Sequence, residues 1–550
     1  MHEHYFHVLN KGLAGELERL PLDEALDHLD NHLAHFLLDG AVSGCYAGRL
    51  GRDPGLAASP RGRAALAYTL SKRVQQQPFD ATCLRPLGRL LNRQDLEVRA
   101  DFLDSLNAEP EGLDDILALN GPGERLEGGP VLRSLLKVYP SYVQAADLLL
   151  ELDQEQGQGP GDWLKLFRCP GPVEAQWRAR LFSHWAALGR QAEALALWPG
   201  LEASAGECLW NQAAALHLAT GREAQARACL EKSLALDPRQ VPLRLRLAEM
   251  DRPTPLRPEL LRQRRVVVCI YSFNKAPVLE ATLCSLAATD LGSARLRLLL
   301  NGCTDRSREV AESARKLFPD NDFQVLDLPV NVGAPAARNW LAALPECREA
   351  DYVAYLDDDV ELPRDWLARF LSVAEEDEGI GVVGCKVLEP GAPARIQYLY
   401  RNVALARPDM FKLIMHAPPG ATDNGLYDFT RRTMSVMGCC HLLRGKVLRE
   451  VPGFDIRFSP SQGDDIEHDL AVCLAGWSVV YTGRVACVHH QNSGVSWKPS
   501  AAITRARAGN VIGNDIKLCA KHAGNLERLR ELALADRRRA ESGADWRGRA

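Results

Sequence analysis

Hydrophobic positions along this 550-residue chain follow two different rhythms. Over residues 1 to about 250, Leu and Ala recur three and four places apart, as in PLDEALDHLDNHLAHFLL (21–38), and β-branched residues are few. That period is the signature of amphipathic helices. GPGERLEGGP (121–130) and GQGPGD (157–162) interrupt it and divide the region into helical blocks. LGRQAEALAL (188–197) and TGREAQARAC (220–229) share Gly-Arg-x-Ala-x-Ala at an offset of 32 residues, an internal repeat.

DRPTPLRPELLRQRR (251–265), with three prolines and many charges, reads as a linker. The rhythm then changes. RVVVCIYS, ARLRLLL, FQVLDL, YVAYL and GIGVVGCKVL are short apolar runs, and helical patterns lie between them. This alternation predicts a Rossmann-like, doubly wound, mostly parallel α/β sheet over residues 265–500. Such sheets bind ligands beyond the carboxyl ends of their strands. The loops expected there are 271–275, Asn301 to Asp305, Asn331 to Asn339 and Asp357 to Asp359. Residues 501–550 are predicted to be a helical, charged tail ending rich in arginine, either a solvated helix or a segment drawn to an anionic membrane surface.

Composition narrows the possible functions. With 46% hydrophobic and 25% charged residues the chain can bury large cores, and its net charge of −5 with mixed signs argues against a nucleic-acid partner. Fifteen scattered cysteines without a Cys-x-x-Cys suit reduced thiols in a cytoplasmic protein. MHEHYFHVLN lacks the apolar core of a signal peptide, and no run approaches 18 apolar residues. His2, His4 and His7 are read as a solvated segment rather than a metal tract.

The candidate chemistry lies at the expected strand ends. In the extended run YLDDDV, Asp357 and Asp359 share a face and Asp358 points away. Two carboxylates on one side form a hard-oxygen site for Mn²⁺ or Mg²⁺, and the following helix, expected from Pro363, begins too late for them to cap it. In SPSQGDDIEHDLAVCLAGW, Asp464 and Asp465 precede a helix ending near Gly476. Asp464 reads as a cap, while Asp465 is either a second cap or a general base, since a carboxylate ionised at neutral pH accepts a proton from a hydroxyl. His489 and His490 close a late strand, where one imidazole can supply a nitrogen ligand or touch a diphosphate.

Two resemblances follow from these residues. Residues 174–240, with Trp210, Ala226, Leu230 and Pro238 in the second repeat, resemble tetratricopeptide units and imply a docking surface for a protein partner or a helical cap. Residues 264–495 resemble a family 2 glycosyltransferase of GT-A fold. Tyr271-Ser272-Phe273-Asn274 stands where that family has Pro-Thr-Tyr-Asn, and Leu300-Asn301-Gly302-Cys303-Thr304-Asp305 where it has Asp-Asn-Gly-Ser-Thr-Asp. NVGAPAARN, YLDDDVELPRDWL, GFDIRF and DDIE complete an ordered series.

The resemblance implies a metal-dependent, inverting glycosyltransferase that moves a sugar from a nucleotide-sugar donor to an acceptor hydroxyl. Ser272, Phe273, Asn274, Asn301 and Asp305 would hold the nucleotide, with Arg338, Asp357 and Asp358 also on the donor. Asp357, Asp359 and His489 would bind Mn²⁺ or Mg²⁺, and Asp465 would be the base. A UDP-sugar is the first expectation for the donor, with dTDP- and GDP-sugars next, and the acceptor would be a glycan, a lipid-linked sugar or a protein.

Leu300 departs from the acidic residue that recognises uracil, Asp464 replaces Glu, and Tyr271 in place of Pro reads as a packing change. The long polar and aromatic stretch between about 405 and 445 reads as a lid or acceptor contact, or as a surface insertion. Two rival readings remain. One is a sugar-nucleotide-forming nucleotidyltransferase, although YSFNKAP has too few glycines for a phosphate loop. The other is a helical-repeat scaffold with an inactive transferase domain. The expected location is the cytoplasm, including the inner face of the membrane.

Overall fold

The computed structural model describes residues 13–106, 122–407, 412–415, 421–490 and 505–547. His2, His4 and His7, and the part of the expected lid at 408–411 and 416–420, lie outside these residues. The chain divides into two compact units, the first running to Leu243 and the second beginning at Arg244. No helix among the described residues is long and apolar enough to cross a membrane.

The described residues of the first unit up to Leu243 are built from helices and the turns between them. Its core gathers Leu66, Leu84, Leu103, Leu136, Leu149 and Trp177, residues set at helical spacing on facing elements. The internal repeat appears as two helix pairs, Glu174–Ala187 with Gln191–Leu197, and Glu207–Ala219 with Glu223–Leu236. The glycine of each Gly-Arg repeat ends its first helix in the left-handed conformation, Gly189 at φ 66° and Gly221 at φ 68°. Ala226 and Leu230 are fully buried, and Trp210 meets Trp198 edge-on at 4.8 Å. The second pair is regular. In the first, the returning helix has only seven residues, because Pro199 and Gly200 follow at once.

The second unit is built on one sheet. Its strands are β1 (Val266–Ser272), β2 (Arg295–Asn301), β3 (Phe323–Leu328), β4 (Tyr352–Leu356), β5 (Val360–Glu361), β6 (Ile380–Glu389), β7 (Arg395–Tyr398), β10 (Thr430–Thr433), β11 (Cys440–Arg444) and β12 (Ser478–His489). A separate hairpin is formed by β8 (Val403–Arg407) and β9 (Lys412–Met415). The sheet order is β10-β12-β6-β11-β4-β1-β2-β3, with β5 paired to β12 and β7 to β6.

Strands β3, β2, β1 and β4 are mutually parallel, β12 is parallel to β6, and β11 runs antiparallel to both β4 and β6. The expected mostly parallel sheet is therefore present, with antiparallel insertions. The same register gives β4, β6 and β12 a common direction, so Asp357 and His489 emerge on one edge although 132 residues separate them in the numbering. β11, running the other way, begins at that edge. Every residue of β4 is buried, as expected of a strand covered on both faces.

The covering helices used below are α1 (Ala276–Ala287), α2 (Ser307–Ala314), α3 (Ala334–Ala342), α4 (Trp366–Ala374), α5 (Asp464–Leu474), α6 (Arg505–Lys521) and α7 (Leu526–Ser542). Three expectations are corrected. Helix α4 starts at Trp366, not Pro363, because Val360 and Glu361 first pair with β12 as strand β5.

The proline-rich segment 251–264 is not a free linker. Leu260 and Leu261 are buried, Arg257 pairs with Glu376, and Arg264 binds Glu375 through two hydrogen bonds of 2.8 and 2.7 Å. The arginine-rich end is not a solvated tail either. Arg431 and Asn402 bind Asp536 of α7, and Arg547 binds Glu376 at 2.8 Å. Charges that read as a surface tract are used to attach these segments to the second unit.

Candidate active site

Three loops at the strand ends lock one another in place. Asn274 at the end of β1 is in the left-handed region (φ 53°), which suits Asn, and its side-chain oxygen accepts the Thr304 N–H at 2.7 Å. Asp305 accepts hydrogen bonds from Ala276 N (2.9 Å) at the start of α1 and from Ser307 N (3.0 Å) at the start of α2. Burial opposes the charge of Asp305, but the bonds from Ser307 and Ala276 outweigh it and hold the carboxyl below its ordinary value. Asn301 is buried, its oxygen accepting from Val332 N at 3.0 Å and its nitrogen donating to Asn331 Oδ1 at 3.0 Å.

These contacts occupy polar atoms of Asn274, Asn301 and Asp305, the residues expected on a nucleotide. They brace the loops that would surround one. Phe273 is 43% exposed on the same loop as Asn274 and presents an open ring face.

Asp357 to Asp359 form a turn rather than the expected extended run, so Asp357 and Asp359 both approach His489 while Asp358 and Asp359 share Lys275. Asp357 accepts a hydrogen bond from Tyr271 Oη at 2.6 Å and is half-buried. Asp358 is buried, accepting from Ser272 Oγ at 2.6 Å and Lys275 Nζ at 3.0 Å. Asp359 is buried and accepts from the same Lys275 Nζ at 2.9 Å. Burial pushes the Asp358 carboxyl up, and Lys275 and Ser272 resist that rise. Burial also opposes the charge of Asp359, but His489 and Lys275 prevail and draw its carboxyl down to about 2. Ser272 is therefore a buried support for Asp358. Tyr271 is more than a packing change, because its hydroxyl aims Asp357.

Potential ligand atoms of Asp357, Asp359 and His489 lie within 4.8 Å of one another. His489 Nε2 stands 3.1 Å from Asp359 Oδ1 and 3.8 Å from Asp357 Oδ2. Asp359 Oδ1 is buried and accepts no protein hydrogen bond of good geometry. An imidazole nitrogen and a carboxylate oxygen so placed need a proton or a cation between them. Two carboxylate oxygens, one of them on Asp359 with its orphaned Oδ1, and one nitrogen fit Mn²⁺ or Mg²⁺. The adjacent His490 turns away and meets Glu361 at 2.6 Å.

Helix α5 brings the remaining carboxylates. Gly463 precedes it with φ 81° and offers no side-chain cap. Asp464 is not a cap, since it is buried and pairs with Arg338 Nη1. Burial lifts its carboxyl to about 6 against the pull of Arg338. Asp465 is half-buried, with Oδ2 accepting from Gly438 N at 2.9 Å and Oδ1 from Ile466 N at 2.9 Å, which leaves acceptor capacity on both oxygens.

Arg338 is only 4% exposed. It lies between Asp464, the Gly438 carbonyl (3.2 Å), Asp357 (3.5 Å) and the Tyr271 ring. Within the protein it links the Asp357 loop to α5.

Sequence reasoning missed Lys275, Gln397 and the hydroxyl of Tyr271. Lys275 lies in YSFNKAP at the end of β1, and a cation at a strand end next to the acidic strand end of β4 is the signal that could have found it. Gln397 accepts from or donates to His489 Nδ1 at 2.7 Å, and it lies in no motif.

The doubly wound sheet thus brings together an acidic strand end and a histidine ligand candidate, with further carboxylates on a helix start. Residues 267–451 match the family model Glycosyl transferase family 2. A curated relative is the O-antigen biosynthesis protein RfbC of Myxococcus xanthus, 29% identical over 253 residues. The match covers 45% of this chain and spans only 19% of that relative's length.

Among solved structures, the mannosyltransferase PcManGT of Pyrobaculum calidifontis, in complex with GDP-Man and Mn²⁺, is 17% identical with a TM-score of 0.32, covering 56% of this chain and 91% of that one. TarS 1–349 of S. aureus, in complex with UDP-GlcNAc, is 14% identical with a TM-score of 0.33, covering 51% and 73%.

Proposed function

We propose that the second unit is an inverting glycosyltransferase that moves a sugar from a nucleotide-sugar donor to an acceptor hydroxyl, with Mn²⁺ or Mg²⁺ as its ion. The observation that carries this reading is the gathering of Asp357, Asp359 and His489 on the sheet edge of a family 2 domain whose helix α5 begins with Asp464 and Asp465. Asp357, Asp359 and His489 would hold the ion. A divalent cation there offsets the negative charge that builds on the departing diphosphate.

Asp465 takes the proton of the acceptor hydroxyl as that oxygen bonds to the anomeric carbon and the bond to the diphosphate oxygen breaks. Gly438 N holds one oxygen of that base, fixing its orientation. Phe273 offers an exposed ring against which a nucleobase can stack. Asp358 and Ser272 act from beneath, fixing Lys275 and the loop.

The donor is a UDP-sugar by first preference, then a dTDP- or GDP-sugar. The acceptor class is a cell-surface glycan, which the name of the RfbC relative supports. The helical unit, with its paired repeats, serves as a docking surface for a protein partner. The test is transfer or hydrolysis by the full chain over UDP-, dTDP- and GDP-sugars with Mn²⁺. Asp465→Asn should lower the rate by about 10²–10⁴ while nucleotide binding persists. Full activity in that variant removes Asp465 as base. Absence of all nucleotide binding by the wild type favours the inactive scaffold.

A further inference from the structure

His489 can serve the site only if its Nε2 lone pair faces the two aspartates, and nothing in the strand itself dictates that. The ring needs a partner on Nδ1. Strand β12 ends at His489, which is 2% exposed and opposite Val360 of β5. Strand β7 lies along β6, with Ile396 and Tyr398 buried and Arg395 and Gln397 on the more open face. The register with β6 shifts between Ile396 and Tyr398, so Gln397 is the unpaired residue of a bulge, on the side of the ring. His489 Nδ1 and Gln397 Oε1 are 2.7 Å apart, and Gln397 Nε2 lies 3.5 Å from the His489 carbonyl. The amide nitrogen facing a carbonyl leaves its oxygen facing Nδ1, so Nδ1 is the donor and carries the proton. In the neutral ring Nε2 then holds the lone pair, on the side of Asp357 and Asp359.

We propose that Gln397 is a positioning residue that fixes the tautomer and orientation of His489, making Nε2 the ligand atom for the divalent ion. Partners of this kind behind a metal-bound histidine change affinity by about 10- to 100-fold when removed. The inference rests on the metal-dependent reading above, and the experiment separates the two. The full chain is titrated with Mn²⁺ alone, followed by electron paramagnetic resonance, with nitrogen coupling to the ion read by pulsed methods.

Wild type should bind Mn²⁺ and show a directly bound nitrogen. Gln397→Leu should weaken binding by about 10- to 100-fold and lose or reduce that coupling. Gln397→Glu, which keeps an acceptor at Nδ1, should retain both. In a His489→Ala background, Gln397→Leu should have no further effect, because its influence passes through the ring.

If wild type binds no Mn²⁺, the metal reading fails and this inference falls with it. If wild type binds Mn²⁺ but Gln397→Leu matches it in affinity and coupling, only the role of Gln397 is overturned. An equal loss on top of His489→Ala also overturns it, since that outcome marks a merely structural contribution of β7.

Discussion

Arg338 and Asp464, 126 residues apart, are ion-paired inside the second unit, and the same guanidinium reaches to 3.5 Å from Asp357. One buried cation thereby joins the acidic strand end to the helix that carries Asp465. Removing one member of a buried pair strands the other, which stays charged without solvent or takes up a proton, at a cost of about 3–5 kcal/mol. Arg338→Met should show that loss in urea unfolding. Arg338→Met with Asp464→Leu should recover much of it, because no buried charge is then stranded. Equal stability of the single and double variants would argue that solvent reaches Asp464.

Lys275 is the cation the protein itself supplies to the triple aspartate, bonded to Asp358 at 3.0 Å and Asp359 at 2.9 Å. Lys275→Met leaves two buried carboxylates with one cation fewer. The melting temperature should fall in metal-free buffer, and Mn²⁺ should restore more stability to the variant than it adds to wild type. Ligand-linked stabilisation grows as RT ln(1 + [L]/Kd), so the comparison is made at several Mn²⁺ concentrations. Equal Mn²⁺-induced shifts in both proteins would count against an ion sharing Asp359 with Lys275.

The sequence carried the sheet well because its strands are short apolar runs between helical patterns, and RVVVCIYS and YVAYL appear as β1 and β4. It carried Asp357, Asp359 and His489 to one edge because parallel strands present their ends together. The roles of the bracing residues were not legible. Asn301 and Asp305 look like ligand contacts in a motif, yet bond to Val332 and to the starts of α1 and α2, which only the fold brings near. Arg338 faces Asp464 across 126 residues, a pairing no local pattern announces. The paired charges of 251–264 and of α7 read as solvated because their partners, Glu375, Glu376 and Arg431, lie far off in the chain.

Gly438 sits where Asp465 and Arg338 converge. A Cβ built there would stand 2.9 Å from Arg338 Nη2 and 2.9 Å from Asp465 Cβ. Both neighbours are held by other bonds, so Gly438→Ala must displace the base, the guanidinium or the β11 start. Such overpacking costs about 1–3 kcal/mol. A small shift of a base costs far more in rate, so kcat should fall about 100-fold while most stability survives. Unchanged kcat in a folded Gly438→Ala protein would remove the need for close approach here.

Glu375 gives the second unit a defined acid sensitivity. Two hydrogen bonds from Arg264 (2.8 and 2.7 Å) hold its carboxyl down to about 2; burial works the other way, and the Tyr352 hydroxyl at 2.6 Å adds to the depression. The folded state therefore binds this proton more weakly than the unfolded chain, whose Glu titrates near 4.3. Stability from this group is fully present above about pH 4.3 and is lost as pH falls towards 2, since the unfolded state takes up the proton first. Glu375→Gln should be less stable than wild type at pH 7, and the gap should narrow steadily as the pH is lowered through that window. Urea unfolding of both proteins at half-unit steps from pH 6 to the lowest pH at which both fold checks this, and a gap that stays constant or widens would show that Arg264 does not depress the Glu375 carboxyl.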